Sequence, residues 1–243
     1  MEKKIVKKNR KLIIIGTGEF GEIAYEYFTM DSDYEVIAFA VEKQYRDKKT
    51  FFGLPVIDFE NIQQLYPPAQ YEAFVAITYV KLNRVRRRLF MECRERGYHC
   101  ASYISSCAFV WHNVKIGENV FIFEKSIVQY HVEMGDNVNI WSGSYVGHSS
   151  MIEDDCWIAP NVVVSGFCKI GKGSFLGANS TLGDNVVLAK DTILGAASIT
   201  VKSLQEEAGV YVGSPARKLD RTSYQQFDLE DKDMDLFNGT SGG

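Results

Sequence analysis

The chain has 243 residues, of which 46% are hydrophobic and 24% are charged, and its formal net charge is -4. This composition is ordinary for a globular protein, and the charge gives no electrostatic reason to expect a nucleic acid partner. No apolar run approaches the roughly 18 residues that a membrane span needs. The five cysteines show no paired spacing, which favours free thiols in the cytoplasm over a disulfide framework.

The N-terminus reads MEKKIVKKNRKLIIIG, which is basic and then apolar. Its apolar run is only about five residues long, and a glycine-rich turn follows it where a signal peptide would carry a cleavage site. We therefore interpret this segment as a basic arm that enters a buried strand.

Three glycines, Gly16, Gly18 and Gly21, follow this first strand and open a stretch that is compatible with a helix. A strand, a glycine turn and a helix N-terminus together present backbone N–H groups to a phosphate. A second predicted strand, Tyr34–Val41, ends at Glu42, close to where a ribose-binding carboxylate would lie. The pattern predicts a small Rossmann-like unit, which suits a mononucleotide or a nucleotide sugar better than NAD.

A third apolar stretch, Ala73–Tyr79, precedes a predicted helix that is rich in arginine. Because charged residues on a helix usually face water, we interpret most of these arginines as a solvated face. They are Arg84, Arg86, Arg87 and Arg88.

A six-residue period begins at Ile104 and runs without an insertion to Leu194. Its first column is aliphatic, and a second column four residues later is small or β-branched, from Ala108 to Ser198. Glycine often follows the aliphatic residue, which suggests a corner where the backbone turns sharply or needs a positive φ. The aliphatic column is Ile104, Val110, Ile116, Ile122, Val128, Met134, Ile140, Val146, Ile152, Ile158, Val164, Ile170, Leu176, Leu182, Leu188 and Leu194.

A six-residue period cannot form one stripe of an α-helix, whose repeat is 3.6 residues. Short strands that alternate with tight turns would instead build a triangular coil of three faces, with successive coils stacked as parallel strands. The period therefore predicts a parallel β-helix of a little over five coils.

A Rossmann-like unit followed by hexapeptide coils resembles the nucleotide-sugar acyltransferases related to sialic acid O-acetyltransferases and to bacillosamine-pathway N-acetyltransferases. The resemblance runs from Lys11 to about Leu219. After Leu219 the sequence turns acidic and ends Asn-Gly-Thr-Ser-Gly-Gly, which predicts a flexible tail at 220–243. The resemblance implies an α/β N-terminal domain at 1–103 and an all-β left-handed parallel β-helix at 104–219. It also implies a cytoplasmic homotrimer that uses acetyl-CoA and no metal, and that contributes to surface-glycan biosynthesis.

The resemblance places the catalytic general base at His148, which lies two residues after the aliphatic Val146. Histidine suits this role because its ordinary pKa is near neutral. Two features depart from many relatives: Ser149 stands where an acid would orient the histidine, and Trp157 stands where a second histidine would lie. An acid that supports His148 would then come from elsewhere in the coils, and the candidates are Glu124, Glu153 and Asp154.

The resemblance also implies three groups of binding residues. The nucleotide-sugar group comprises Gly16, Gly18, Glu19, Phe20, Gly21 and Glu42. The CoA group comprises Gly166, Ala178, Ala196 and Arg217. A tentative acceptor pocket comprises Tyr130, His131 and Trp157.

The leading hypothesis is transfer of an acetyl group to an amino group of a nucleotide-linked sugar, and O-acetylation of a sugar hydroxyl is its alternative. A zinc enzyme resembling carbonic anhydrase needs three histidines at a subunit interface. Here the nearest pair in the repeat, His131 and His148, is seventeen residues apart. A non-catalytic scaffold that binds nucleotide sugars is the third possibility. The sequence leaves open the sugar, the nucleotide base and the length of the acyl chain.

Overall fold

The computed structural model describes residues 7–234, and contacts divide the chain into two compact units. One unit runs up to Thr78 and includes Arg88–Tyr103, and the other comprises Tyr79–Arg87 and the chain from Ile104 onward. The division after residue 103 lies where we predicted the domain boundary. Residues 79–87, which we assigned to the first domain, instead belong to the second unit. Residues 1–6 of the predicted basic arm lie outside the described residues.

The first unit is a five-stranded sheet with the strand order β3-β4-β2-β1-β5, flanked by helices. Strands β1, β2, β4 and β5 are parallel, and β3 pairs antiparallel with β4. Helix α3 begins in the second unit and ends in the first. The elements are β1 Arg10–Ile15, α1 Glu19–Asp31, β2 Tyr34–Val41, β3 Thr50–Phe51, β4 Leu54–Asp58, α2 Ile62–Leu65, β5 Glu72–Val75 and α3 Arg84–Glu95, with 3-10 turns at Lys43–Tyr45 and Phe59–Asn61.

The second unit is a left-handed parallel β-helix, as predicted, whose two-residue strands form three parallel faces. The first face holds β7 Phe109–Val110, β10 Ile127–Val128, β13 Tyr145–Val146, β16 Val163–Val164, β19 Thr181–Leu182 and β22 Ile199–Thr200. The second face holds β8 Lys115–Ile116, β11 Glu133–Met134, β14 Met151–Ile152, β17 Lys169–Ile170 and β20 Val187–Leu188. The third face holds β6 Tyr103–Ile104, β9 Phe121–Ile122, β12 Asn139–Ile140, β15 Trp157–Ile158, β18 Phe175–Leu176 and β21 Ile193–Leu194.

The two columns predicted from the period form the interior of this β-helix. Partners in neighbouring coils are eighteen residues apart, as Ile127 pairs with Tyr145. From Val128 to Leu194 the aliphatic column is buried, and serines of the second column bond to carbonyls of the next coil. The first coil is less covered: Ile104 in its first strand is 42% exposed, and Val110 and Ile116 are half-buried.

From Asn119 to Ala197, each corner between faces contains one residue in the left-handed conformation, and it is glycine only at Gly143 and Gly173. Between the first and second faces these residues have φ values of 56° to 63°, for example 56° at Ser149. The glycines that follow the aliphatic column are needed for another reason. Gly147, for example, lacks a positive φ, and a Cβ there would lie 2.6 Å from the carbonyl carbon of Ser165 in the next coil. Close stacking of coils, rather than a positive φ, therefore requires those glycines.

The described chain after β22 returns to the third face. Strand β23 (Gly209–Val212) pairs with β21 and with β24 (Arg217–Thr222), and α4 (Ser223–Gln226) and α5 (Asp231–Met234) follow. Tyr224, Phe227 and Leu229 pack in a cluster with buried residues of the third face. The predicted flexible tail is therefore wrong for residues 220–229, and residues 235–243 lie outside the described part of the chain.

Candidate active site

His148 lies in the corner between the first and second faces, which we call the His148 corner. It follows strand β13, and its side chain is exposed because the neighbouring Val146 and Ser150 fill the interior. The Ser149 N–H donates a hydrogen bond of 2.9 Å to the Tyr130 carbonyl of the preceding coil. The backbone at this corner is thus tied to the stack while the imidazole projects outward.

The imidazole of His148 rests directly on Gly166 of the next coil. A Cβ at Gly166 would lie 2.6 Å from His148 Cε1 and 3.0 Å from Nδ1, so the ring occupies the space of a missing side chain. The Gly166 N–H donates a hydrogen bond of 2.9 Å to Asp184 Oδ1. The structure therefore places Gly166 beside the predicted base, with its amide hydrogen already engaged.

Phe167 stands on the other side of His148 and was not singled out from the sequence. The two ring centroids are 4.9 Å apart and the rings are inclined by 73°. Its register could have identified it, because it lies eighteen residues after Ser149 and eighteen before Asn185 at the left-handed position of the corner. Phe167 thus packs against the predicted base, for which the sequence alone indicated no orienting partner.

No carboxylate supports His148 within the part of the chain that the structure describes. Glu124 accepts a hydrogen bond of 2.7 Å from the Ser142 hydroxyl at a different corner. Glu153 and Asp154 pair with the ammonium groups of Lys169 and Lys172. All three predicted candidates are therefore engaged elsewhere.

The predicted acceptor pocket does not form as one group in the chain. Tyr130 and His131 lie at the His148 corner, one coil before His148, and their rings stack with centroids 3.9 Å apart. Trp157 belongs to the third face, is only 3% exposed, and packs against Tyr79 and Arg86. The prediction of Trp157 as a pocket residue is therefore corrected, because Tyr79 and Arg86 cover its side chain on the third face and leave it closed to an acceptor.

The predicted CoA residues also lie at separate places. Ala178 and Ala196 occupy the corner between the third and first faces, which we call the Ala178 corner, where the Ala197 N–H donates to the Ala178 carbonyl. Gly166 lies at the His148 corner, and Arg217 is an exposed residue at the start of β24. Within one chain the first face separates Ala178 from Gly166.

The glycine turn of the first unit has the close packing that a Rossmann-like turn needs. Gly16 has a φ of 120°, and a Cβ there would approach the Ala76 carbonyl oxygen to 2.8 Å. Gly21 lies under Gly16, since its Cβ would be 2.4 Å from the Gly16 oxygen. Gly18 is the N-cap of α1 and has no side-chain cap, so the helix N-terminus is open to an anion.

Two of the predicted nucleotide-sugar residues sit in the first turn of α1. Glu19 is exposed there, whereas Phe20 is 2% exposed and packs against Phe74 with ring centroids 6.1 Å apart. Phe20 is therefore a core residue, and the prediction that its side chain contacts the nucleotide sugar is wrong.

Glu42 follows β2 at the same edge of the sheet and already has a partner. The Arg88 guanidinium donates a hydrogen bond of 2.9 Å to Glu42 Oε2, and its other terminal nitrogen bonds Glu92 Oε1 at 2.8 Å. These bonds hold the Glu42 carboxylate in place at the C-terminal end of the parallel strands, where ligands of open α/β sheets bind.

Arg84, Arg86 and Arg87 of α3 are buried, which corrects our interpretation of these arginines as a solvated helix face. Arg84 is 1% exposed and pairs through two nitrogens with Asp191, with both distances 2.8 Å. Arg87 bonds Asp155 Oδ2 at 2.7 Å. Arg86 is fully buried, and this burial lowers its pKa to about 10.

These acids belong to the corner between the second and third faces, which we call the Asp155 corner. Asn119 donates to Asn137 and Asn137 donates to Asp155, each over 2.8 Å, and one coil separates each pair. Burial raises the pKa of Asp155, and the nearby Arg87 guanidinium opposes that rise. This polar ladder is satisfied inside the second unit.

Among residues 7–234, no cluster of three or more histidine, cysteine or acidic side chains is placed to bind a metal ion. No helix in this part of the chain is long and apolar enough to cross a membrane.

Known protein families match both units. The PglD N-terminal domain matches residues 11–93, and the bacterial transferase hexapeptide repeat matches residues 103–148 and 149–184.

Solved structures share the whole architecture. A histidine-to-asparagine mutant of perosamine N-acetyltransferase from Caulobacter crescentus, in complex with CoA and GDP-perosamine, is 25% identical with a TM-score of 0.77. The match covers 87% of this chain and 97% of that chain. The acetyltransferase domain of PglB from Neisseria gonorrhoeae is 23% identical with a TM-score of 0.76, over 87% of this chain and all of that one.

WeeI from Acinetobacter baumannii has the same fold at 19% identity, with a TM-score of 0.60, over 87% of this chain and 100% of that chain. The two family matches cover separate units in the predicted order. The chain thus combines a PglD N-terminal domain with bacterial transferase hexapeptide repeats, which confirms the family resemblance predicted from its sequence.

Proposed function

We propose that the protein transfers an acetyl group from acetyl-CoA to an amino group of a nucleotide-linked sugar, with His148 as the general base. The observation that carries this proposal is the exposed imidazole of His148, which rests on Gly166 in a corner of the β-helix. The similarity to perosamine N-acetyltransferase, solved with CoA and GDP-perosamine, supports the choice of substrates.

The chemistry follows from the position of His148. The sugar amine attacks the thioester carbonyl, and the imidazole takes the proton that the nitrogen loses. The tetrahedral oxyanion then collapses, the C–S bond breaks, and the imidazolium returns the proton to the CoA thiolate. The oxyanion needs a donor other than the Gly166 N–H while that hydrogen remains bonded to Asp184.

The first unit supplies a place for the nucleotide. The N-terminus of α1 at Gly18 carries unsatisfied backbone N–H groups, which bind phosphate well. Glu42, held by Arg88, lies at the same end of the sheet, where a carboxylate accepts hydrogen bonds from ribose hydroxyls. We therefore assign the diphosphate to the glycine turn and the ribose to Glu42.

A homotrimer accounts for the separation of the CoA residues. The first face lies between the His148 corner and the Ala178 corner and carries an outward column of exposed apolar side chains. In a ring of copies, one corner of a subunit meets a different corner of the next, so both sets of residues can serve one site. The exposed members of this column are Phe109, Ile127, Val163 and Ile199.

The cysteines agree with a reducing compartment, because all five are free and four of them are buried. We place the reaction in the cytoplasm, where acetyl-CoA and nucleotide sugars meet, as a step that prepares sugars for surface glycans.

The experiment that tests this function follows the release of CoA thiol from acetyl-CoA with UDP-, GDP- and dTDP-linked amino sugars, each beside its hydroxyl counterpart. We expect release with at least one amino sugar, at a rate above hydrolysis without acceptor. Treatment of the product with alkaline hydroxylamine distinguishes the bond formed, because an ester is cleaved and an amide survives. An ester product would establish O-acetylation, and binding of the nucleotide sugar without thiol release would indicate a non-catalytic scaffold.

A further inference from the structure

Phe167 has three properties that rarely occur together in one residue. Its side chain is 56% exposed, although it is large and apolar. Its φ is 57°, in the left-handed region that bulky side chains disfavour. Its ring contacts His148, and its backbone N–H donates a hydrogen bond of 2.9 Å to the His148 carbonyl.

The left-handed backbone comes from the corner and not from Phe167 itself. The equivalent residues in other coils are His131, Ser149 and Asn185, with φ values of 56°, 56° and 63°. Asparagine tolerates this conformation best among residues with a side chain, because its short polar group bonds locally. A phenylalanine here costs stability without gaining burial, and such strain tends to persist at functional sites.

The imidazole of His148 needs an orienting group if it is to act as a base. Catalytic histidines are usually held by a hydrogen bond to one ring nitrogen. Ser149 follows His148 where an acid would serve, and between residues 7 and 234 no hydrogen bond to either ring nitrogen of His148 is present. Packing is therefore what fixes the ring in the chain, with Gly166 beneath it and Phe167 beside it.

We propose that Phe167 is a positioning residue for His148, holding the imidazole by ring contact in place of a hydrogen-bonded acid. This proposal rests on the proposed role of His148 as general base.

The test compares Phe167→Asn and Phe167→Gly with Phe167→Tyr. The first two remove the ring and relieve the left-handed strain, so we expect equal or higher thermal stability. Loss of the ring contact should lower kcat about ten- to a hundred-fold, while the KM for acetyl-CoA stays within about two-fold. Phe167→Tyr keeps the ring contact and should retain kcat within about three-fold.

Phe52 offers a matched control, because it is also an exposed phenylalanine with a positive φ, here 49°. Its ring stacks on Tyr25, and it precedes β4, at the opposite end of the parallel strands from Gly16 and Glu42. Phe52→Asn should leave kcat unchanged. A second readout, the NMR signal of the His148 ring in histidine-labelled protein, needs no acceptor and should shift in Phe167→Asn only.

Two results would overturn the proposal. The first is a kcat for Phe167→Asn within two-fold of the unmodified protein together with an unshifted His148 signal. The second is a parallel loss of stability and activity in all three Phe167 variants, which would make the ring a structural residue. His148→Ala separates a failure of this proposal from a failure of the proposed function. Full activity in His148→Ala would show that His148 is not the general base.

Discussion

Two corners of the same β-helix, built from the same eighteen-residue stack, have opposite chemistry. At the Asp155 corner, side chains bond from coil to coil, and the acids Asp155 and Asp191 are buried and paired with arginines. At the His148 corner, the imidazole of His148 is exposed and packs against the exposed ring of Phe167. The comparison shows that one repeated backbone can carry stabilising ion pairs at one corner and an exposed, reactive side chain at another.

The difference arises from what covers each edge. The segment Tyr79–Arg87 places Arg84 and Arg87 on the Asp155 corner, so charges there must be paired to be tolerated. The His148 corner has no such cover within the described chain, and its groups remain free to meet a substrate.

The largest expected effect on folding comes from breaking the Asp155 corner with Asp191→Asn. This change leaves the Arg84 guanidinium buried without its charge partner and weakens the bond from the Tyr224 hydroxyl, which is 2.8 Å from Asp191 Oδ2. We expect a loss of about 3–5 kcal/mol in the free energy of unfolding. Denaturant titration measures it, with the exposed Asp220→Asn as the matched control. Equal midpoints for the two variants would show that the corner does not stabilise the fold.

The next effect concerns activity at the His148 corner and follows from Gly166→Ala. The added Cβ would lie 2.6 Å from His148 Cε1 and must displace the imidazole. We expect kcat to fall about a hundred-fold with an unfolding midpoint close to that of the unmodified protein. Gly183→Ala is the control, because the nearest atom to a Cβ there is Cγ1 of Val201, at 3.1 Å. Full activity in Gly166→Ala would mean that the position of the ring does not matter.

The smallest expected effect concerns the reactivity of the cysteine thiols, which tests whether the interior behind both corners is closed to solvent. Cys156 and Cys168 are buried beside Asp155 and Phe167, and burial raises the pKa of both thiols. We therefore expect Ellman's reagent to label one thiol per native chain, the exposed Cys107, and five thiols after unfolding. Rapid labelling of Cys168 in the native protein would show that the His148 corner opens to the interior.

The repetitive part of the fold was predictable because its signal is periodic. One inward residue in every six, repeated from Val128 to Leu194, leaves no other way to bury the column, and the structure confirms it. The register also fixed that His148 and Gly166 share an edge, since residues eighteen apart stack.

The remaining features depend on contacts between segments that are distant in the sequence. Nothing near Arg84 indicates that its partner is Asp191, 107 residues later, so the arginines looked like a solvated face. Trp157 was assigned to the acceptor pocket because it stands where relatives carry a second histidine, but Tyr79, which is distant in the sequence, covers it on the third face. The end of the chain looked like a tail because its acidic composition hides the few apolar residues that pack, such as Phe227.

The central claim is that the exposed corner performs the chemistry through His148. Its most direct test is the rate of acetyl transfer by His148→Ala, with His112→Ala as the control, because His112 is exposed on the same edge two coils earlier. We predict that kcat falls at least about a hundred-fold in His148→Ala, with little change in the KM for acetyl-CoA and no change in His112→Ala. Equal rates in the two variants would contradict the account.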